Sequence, residues 1–175
     1  MVRTPDDGPG PVPRARPTWL VAVGHADRPV LATTHVLRTP AGVEEDIALA
    51  LGYGADEPPP LDAVEALAAE LDAGHGLVTL LTALRAGRRD LTVPAHAEPP
   101  PVPVTFTVGH AEAERIGRAR TLATLHVPPP VRLGPGGRSA LHYRLGDGAD
   151  GEAWELLRGL VGRLWAGPGG GVRTP

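Results

Sequence analysis

The sequence predicts a soluble α+β protein with a single antiparallel sheet. The sheet has about five to six strands, three to four helices flank it, and the element order is β-β-α-α-α-β-β-β-α. Three observations carry this. Runs rich in β-branched residues come in pairs joined by short links, segments with helical spacing group between them, and an amphipathic stretch closes the chain. A chain of 175 residues, 42% of them apolar, can bury a real core. Residues 1–16 and 167–175 are rich in Pro and Gly and poor in large apolar groups, so both read as disordered termini around one domain at 17–166.

"TWLVAVGH" (18–25) is apolar on both faces and suits a buried strand. "PVLATTHVL" (29–37) pairs with it as a hairpin around Ala26-Asp27-Arg28. "AGVEEDIALALGYG" sets Val43, Ile47 and Leu51 at helical spacing, with Thr39-Pro40 as a helix start. "LDAVEALAAEL" aligns Leu61, Val64, Leu67 and Leu71 in a second stripe, and Gly74-His75-Gly76 interrupts it. "LVTLLTALRAG" carries Leu77, Leu80, Leu81 and Leu84 at helical spacing, while its Val and Thr content also fits a strand. "VTFTVGH" is the clearest amphipathic strand, with Val104, Phe106, Val108 and His110 on one face. "RTLATLHV" (120–127) and "SALHYRLG" (139–146) follow as strands across the loop "PPPVRLGPGG". "GEAWELLRGLVGRLW" is the closing helix. Trp154, Leu157, Val161 and Leu164 form its stripe, and Asp150 caps it. A profilin-like module or a hotdog-like sheet around a central helix are alternative arrangements of these elements.

Composition removes whole reaction classes. All 17 basic residues are Arg, and Cys, Asn and Gln are absent, a bias that suggests a GC-rich coding sequence. No lysine can form a Schiff base, and no thiol can attack a substrate or hold zinc. The formal charge of -3 gives no basic field for nucleic acid. No run approaches the ~20 apolar residues of a membrane span. The N-terminus lacks the apolar core of a signal peptide, so a cytoplasmic protein is expected.

"VGHA" occurs at 23–26 and 108–111, and "ATTHV" (32–36) is echoed by "ATLHV" (123–127). Chance in so biased a composition outweighs duplication as the explanation. The seven histidines raise a metal site. Strand geometry argues against it, since His25 and His35 would sit about 15 Å apart along their hairpin, as would His110 and His126. No metal and no cofactor is expected.

His110 is the best catalytic candidate, with Glu112 as the carboxylate that could orient its ring and His25 as a further possible member. A structural strand end is the preferred reading of His110. His142, sharing a face with Arg144, reads as exposed. Arg85, Arg88 and Arg89, and then Arg115, Arg118 and Arg120, form two clusters able to bind carboxylate or phosphate. With no strong catalytic motif, the expected function is a non-catalytic binding or scaffold module for a protein or small ligand, with a protein partner or a homodimer. A small enzyme on an acidic or acyl substrate with a histidine base is the alternative, and a self-associating structural protein comes third. An apolar pocket reaching His110 would favour the enzyme, and a flat exposed apolar face the module.

Overall fold

The computed structural model describes residues 17–25, 27, 29–40, 42–54, 56–88, 91, 100–117, 129–134 and 137–165. They form two separate antiparallel sheets, of three and four strands, in two compact units. The single sheet and its predicted element order are therefore corrected. The observed order is β-β-β-α-β-β-α-β-β-α, with three helices among the described residues. The strand expected at 120–127 and both termini lie outside those residues.

The first unit is a meander of β1 (Thr18–Val23), β2 (Val30–Thr39) and β3 (Gly42–Leu51). The first two strands form the expected hairpin, with Trp19 opposite His35. The third was expected to be a helix. Val43, Ile47 and Leu51 are four residues apart, a spacing that also keeps residues on one face of a strand. Thr39 and Gly42 pair across the turn, Thr39 Oγ1 donates to the Gly42 carbonyl at 3.3 Å, and Gly42 has φ 142°. Thr39-Pro40 thus opens a hairpin turn, not a helix. β1 is exposed along its whole length, which corrects the expectation of a buried strand.

The second unit holds α1 (Leu61–His75), β4 (Thr79–Leu84), β5 (Val102–Val108), α2 (His110–Ile116), β6 (Val131–Leu133), β7 (Ala140–Arg144) and α3 (Glu152–Trp165). Its sheet runs β4-β5-β7-β6. Residues 79–84 are strand, as the Val and Thr content of "LVTLLTALRAG" allowed, and β6 lies in the segment read as loop. Pro103 cannot donate to a ladder, and the register of β4 on β5 shifts at Thr82/Ala83 to accommodate it. α1 runs through Gly74 and His75 and ends at Gly76, whose φ of 66° is the left-handed cap that glycine adopts freely.

Helices cover both faces of this sheet. Phe106, Val108, Leu141 and Tyr143 meet α2 and α3 through Ala113, Ala153, Leu157, Leu160 and Leu164. The other face meets α1 through Ala68, with Leu133 and Ala140. The buried stripe of α3 includes Leu160, while Val161, expected in the core, is 38% exposed. Asp150 Oδ1 accepts the Glu152 N–H at 2.9 Å, the cap that the sequence suggested.

Candidate functional site

The sheet face under α1 is polar at both ends of the helix. The Leu61, Val64, Leu67 and Leu71 stripe was expected to be the core face, yet the fully buried residues of α1 are Ala68 and Asp72. Glu65, Ala68, Ala69 and Asp72 fall three or four residues apart, so they share one side of the helix. Two alanines let the helix lie close to the sheet, and a carboxylate at each end reaches a histidine.

Asp72 is 3% exposed and binds the start of α2. Its Oδ1 accepts the His110 backbone N–H at 2.8 Å and the His110 Nδ1–H at 3.0 Å. A carboxylate only accepts, so in the neutral ring the hydrogen bond places the proton on Nδ1 and the lone pair on Nε2. The ring is 24% exposed. His110 is therefore not the last residue of a strand face but the first of a helix, held by a carboxylate on another element.

Gly109 makes this approach possible. Its N–H donates to the Val78 carbonyl at 3.0 Å, which continues the ladder of β5 on β4. A Cβ there would stand 1.7 Å from the Leu77 carbonyl oxygen and 2.9 Å from Asp72 Oδ1. Only glycine lets the chain leaving α1 cross so close to the start of α2.

At the other end of α1, Glu65 meets His142 and Arg144 of β7. Arg144 Nη2 donates to Glu65 Oε1 at 2.8 Å. His142 is fully buried, which corrects the exposed reading; α1 covers its face. Its Nδ1 lies 2.8 Å from Thr107 Oγ1. Its Nε2 lies 3.5 Å from Glu65 Oε1 and makes no hydrogen bond. Burial lowers the His142 pKa, with Arg144 acting in the same direction and Glu65 opposing.

The other candidates fall elsewhere. Glu112 does not orient His110 but accepts from Arg115 at 2.7 Å and from the Trp165 indole at 3.1 Å. The Arg115 hydrogen bond holds its carboxyl below the usual range. His25 belongs to the first unit, is exposed, and sits 3.2 Å from Asp27. The histidines of the two "VGHA" copies thus differ in setting, His25 following β1 and His110 opening α2. Arg85 is exposed in the second unit, and Arg88 is in the first. Arg89, Arg118, Arg120, His96 and His126 lie outside the described residues. Among the described residues no three His, Asp or Glu groups are placed to hold a metal.

A family model described as "DUF6177, C-terminal domain" matches residues 12–166. The chain belongs to this family. That match covers strands of both sheets and every described helix. The DUF6177 description names no activity, so any role must be argued from the residues. No curated protein and no solved structure matches the chain.

The Asp72–His110 link gives a direct expectation. His110→Ala leaves a buried carboxylate with one of its two donors lost. Stability should fall by about 1–3 kcal/mol, read as a lower urea midpoint.

Proposed function

We propose that this domain is a protein-binding module that docks through the β1–β2–β3 sheet. The observation that carries the reading is the exposure of large apolar residues on both faces of that sheet. Registers place Leu20, Ile47, Leu49 and Leu51 on one face, and Trp19, Val21, Val23 and Leu31 on the other. Trp19 is 68% exposed, Val23 78% and Ile47 53%. Two ten-residue strands and one of six, about 4.8 Å apart, present on the order of 400 Å² per face. Large apolar side chains exposed together on a face of that size suit an interaction site. Covering the apolar part of one face contributes only a fraction of the roughly 10 kcal/mol gross that the whole area would give at ~25 cal/mol per Å², which offsets part of the cost of association.

A photo-crosslinking residue at Val21 or Ile47, with one at Arg158 as control, tests this in the intact protein. The expected result is a discrete adduct with another polypeptide from the two sheet positions and none from Arg158. An adduct of twice the chain mass alone would move self-association to first place. No adduct at either sheet position would end the docking proposal.

The enzyme reading has one specific observation behind it. Asp72 fixes the His110 tautomer so that Nε2 could act as a general base. The stability of His110→Ala separates the two roles. A loss matches the structural link, whereas a melting temperature at or above that of the wild type favours catalysis.

A further inference from the structure

We propose that the outer edge of β3 is a strand-addition site for an extended basic segment of another protein, with a run of Lys or Arg beside Glu44, Glu45 and Asp46 and apolar residues beside 47–51. It rests on the docking reading above, and it names the edge and the chemistry of the partner.

The argument starts from which backbone groups are free. β3 pairs with β2 on one side, and among the described residues no strand pairs with its other side. In an antiparallel strand the N–H and C=O groups of successive residues point to opposite edges. The Gly52 N–H, one residue past β3, donates to the Pro29 carbonyl, one residue before β2, at 3.0 Å. Gly52 therefore faces β2, and so do residues 50, 48, 46 and 44. The backbone groups of Val43, Glu45, Ile47, Leu49 and Leu51 then face outward. Such a row of donors and acceptors is a template for an added strand, and the exposed side chains of β3 leave it open.

Charge selects the partner. Glu44, Glu45 and Asp46 are consecutive and exposed. Glu45 shares a face with Ile47 and Leu49, while Glu44 and Asp46 lie on the other face. Among the described residues no arginine reaches any of the three within salt-bridge distance. An added strand with basic residues at these positions gains an opposite-charge pair across the strand gap at each. A second copy of β3 brings acids of its own, and charge on an edge strand is one way that proteins keep edges from self-pairing. Beyond Asp46 the outward register carries Ile47, Leu49 and Leu51, all exposed, so the rest of the partner strand must be apolar on that face.

Residue-resolved hydrogen exchange of the full chain tests the site. The probe is a synthetic peptide of three arginines followed by alternating valine and threonine, and its counterpart carries glutamates in place of the arginines. In the free protein the amides of residues 44, 46, 48 and 50 should be protected, and those of 43, 45, 47, 49 and 51 should exchange freely. The arginine peptide should slow the second set, and the glutamate peptide should not. Glu44→Gln, Glu45→Gln and Asp46→Asn together should weaken the arginine peptide by at least about threefold, the low end for three cross-strand charge pairs. Ile47→Pro removes an outward N–H and spares the ladder to β2, so it should lose the peptide and keep the protected set. If that variant does not fold, the two peptides on the wild-type chain decide. Outward amides already protected without peptide, equal effects of the two peptides, no effect of either, or unchanged binding to the triple variant would overturn the proposal. Protection that rises with protein concentration alone would overturn it in favour of a second copy. If the edge fails while crosslinks still form at Val21 or Ile47, the sheet docks through a face. Failure of both ends the docking reading as well.

Discussion

Gly109→Ala is expected to cost at least about 3 kcal/mol and to unfold much of the second unit at room temperature. Overpacking a core usually costs about 1–3 kcal/mol, because side chains shift to make room. Here the obstacle cannot rotate away. The added methyl would meet the Leu77 carbonyl oxygen at 1.7 Å and the Asp72 carboxylate at 2.9 Å. Relief requires pulling the chain at 77–78 off β5, which breaks the Gly109–Val78 hydrogen bond, or withdrawing Asp72 from His110. Either movement separates α1 from the start of α2. The backbone of Gly109 is itself ordinary, with φ -62° and ψ 157°, so close approach alone requires glycine there. A urea midpoint for Gly109→Ala within error of the wild type would show that α1 does not cross so close to α2. Gly148→Ala is a useful comparison. It adds a methyl 2.8 Å from Leu84 Cδ1, a side chain that can move, at a φ of 88° that disfavours alanine.

The closing helix, the hairpin at 18–37 and the strand expected at 104–110, found at Val102–Val108, were legible because each depends on local pattern. The third strand was not. Val43, Ile47 and Leu51 satisfy a spacing of four, which both a helix and a strand permit, and pairing with β2 decided between them. The pairing partner of His110 was hidden for a different reason. Glu112 is two residues away and drew attention, but the carboxylate that binds the ring lies 38 residues upstream. A signal was present in α1, where Glu65 and Asp72 flank two alanines on one side of the helix. Weighting leucines over alanines turned that helix the wrong way. His142 was misread through the assumption that a strand face carrying His and Arg must face water. A sheet covered on both sides buries such a face at His142, whose Nδ1 meets Thr107, while Arg144 farther along stays exposed and binds Glu65.

The two faces of the second sheet therefore differ in what holds them. Toward α1 the contacts are small residues and hydrogen bonds of Asp72 to His110 and of Glu65 to Arg144, which depend on geometry. Toward α2 and α3 they are large apolar groups, including Phe106 edge-on to Trp165 at 6.3 Å. The first layer can open locally while the second stays packed, since local opening follows the weaker contacts.

Leu160→Ala should then be the most damaging truncation in the apolar layer, lowering stability by about 2–5 kcal/mol. Leu160 is fully buried in the cluster that joins α3 to Phe106 and Tyr143. Tyr143 is just as buried, and its phenol is pushed up to about 12 by the loss of water around it. Removing three carbons between these groups leaves a cavity that the sheet cannot fill, because its strands are fixed on both sides. Trp154 gives the contrast. It is only half-buried, and its indole nitrogen is buried without a hydrogen-bond partner. Trp154→Phe removes that unpaired group along with part of the ring, so the two effects offset and the change should stay within about 1 kcal/mol. Val161→Ala, on the exposed side of the same helix, should stay near ~0.5 kcal/mol. Urea midpoints for the three variants give the test. If Leu160→Ala costs no more than Val161→Ala, α3 does not pack on β5 through this side, and the apolar layer must be redrawn.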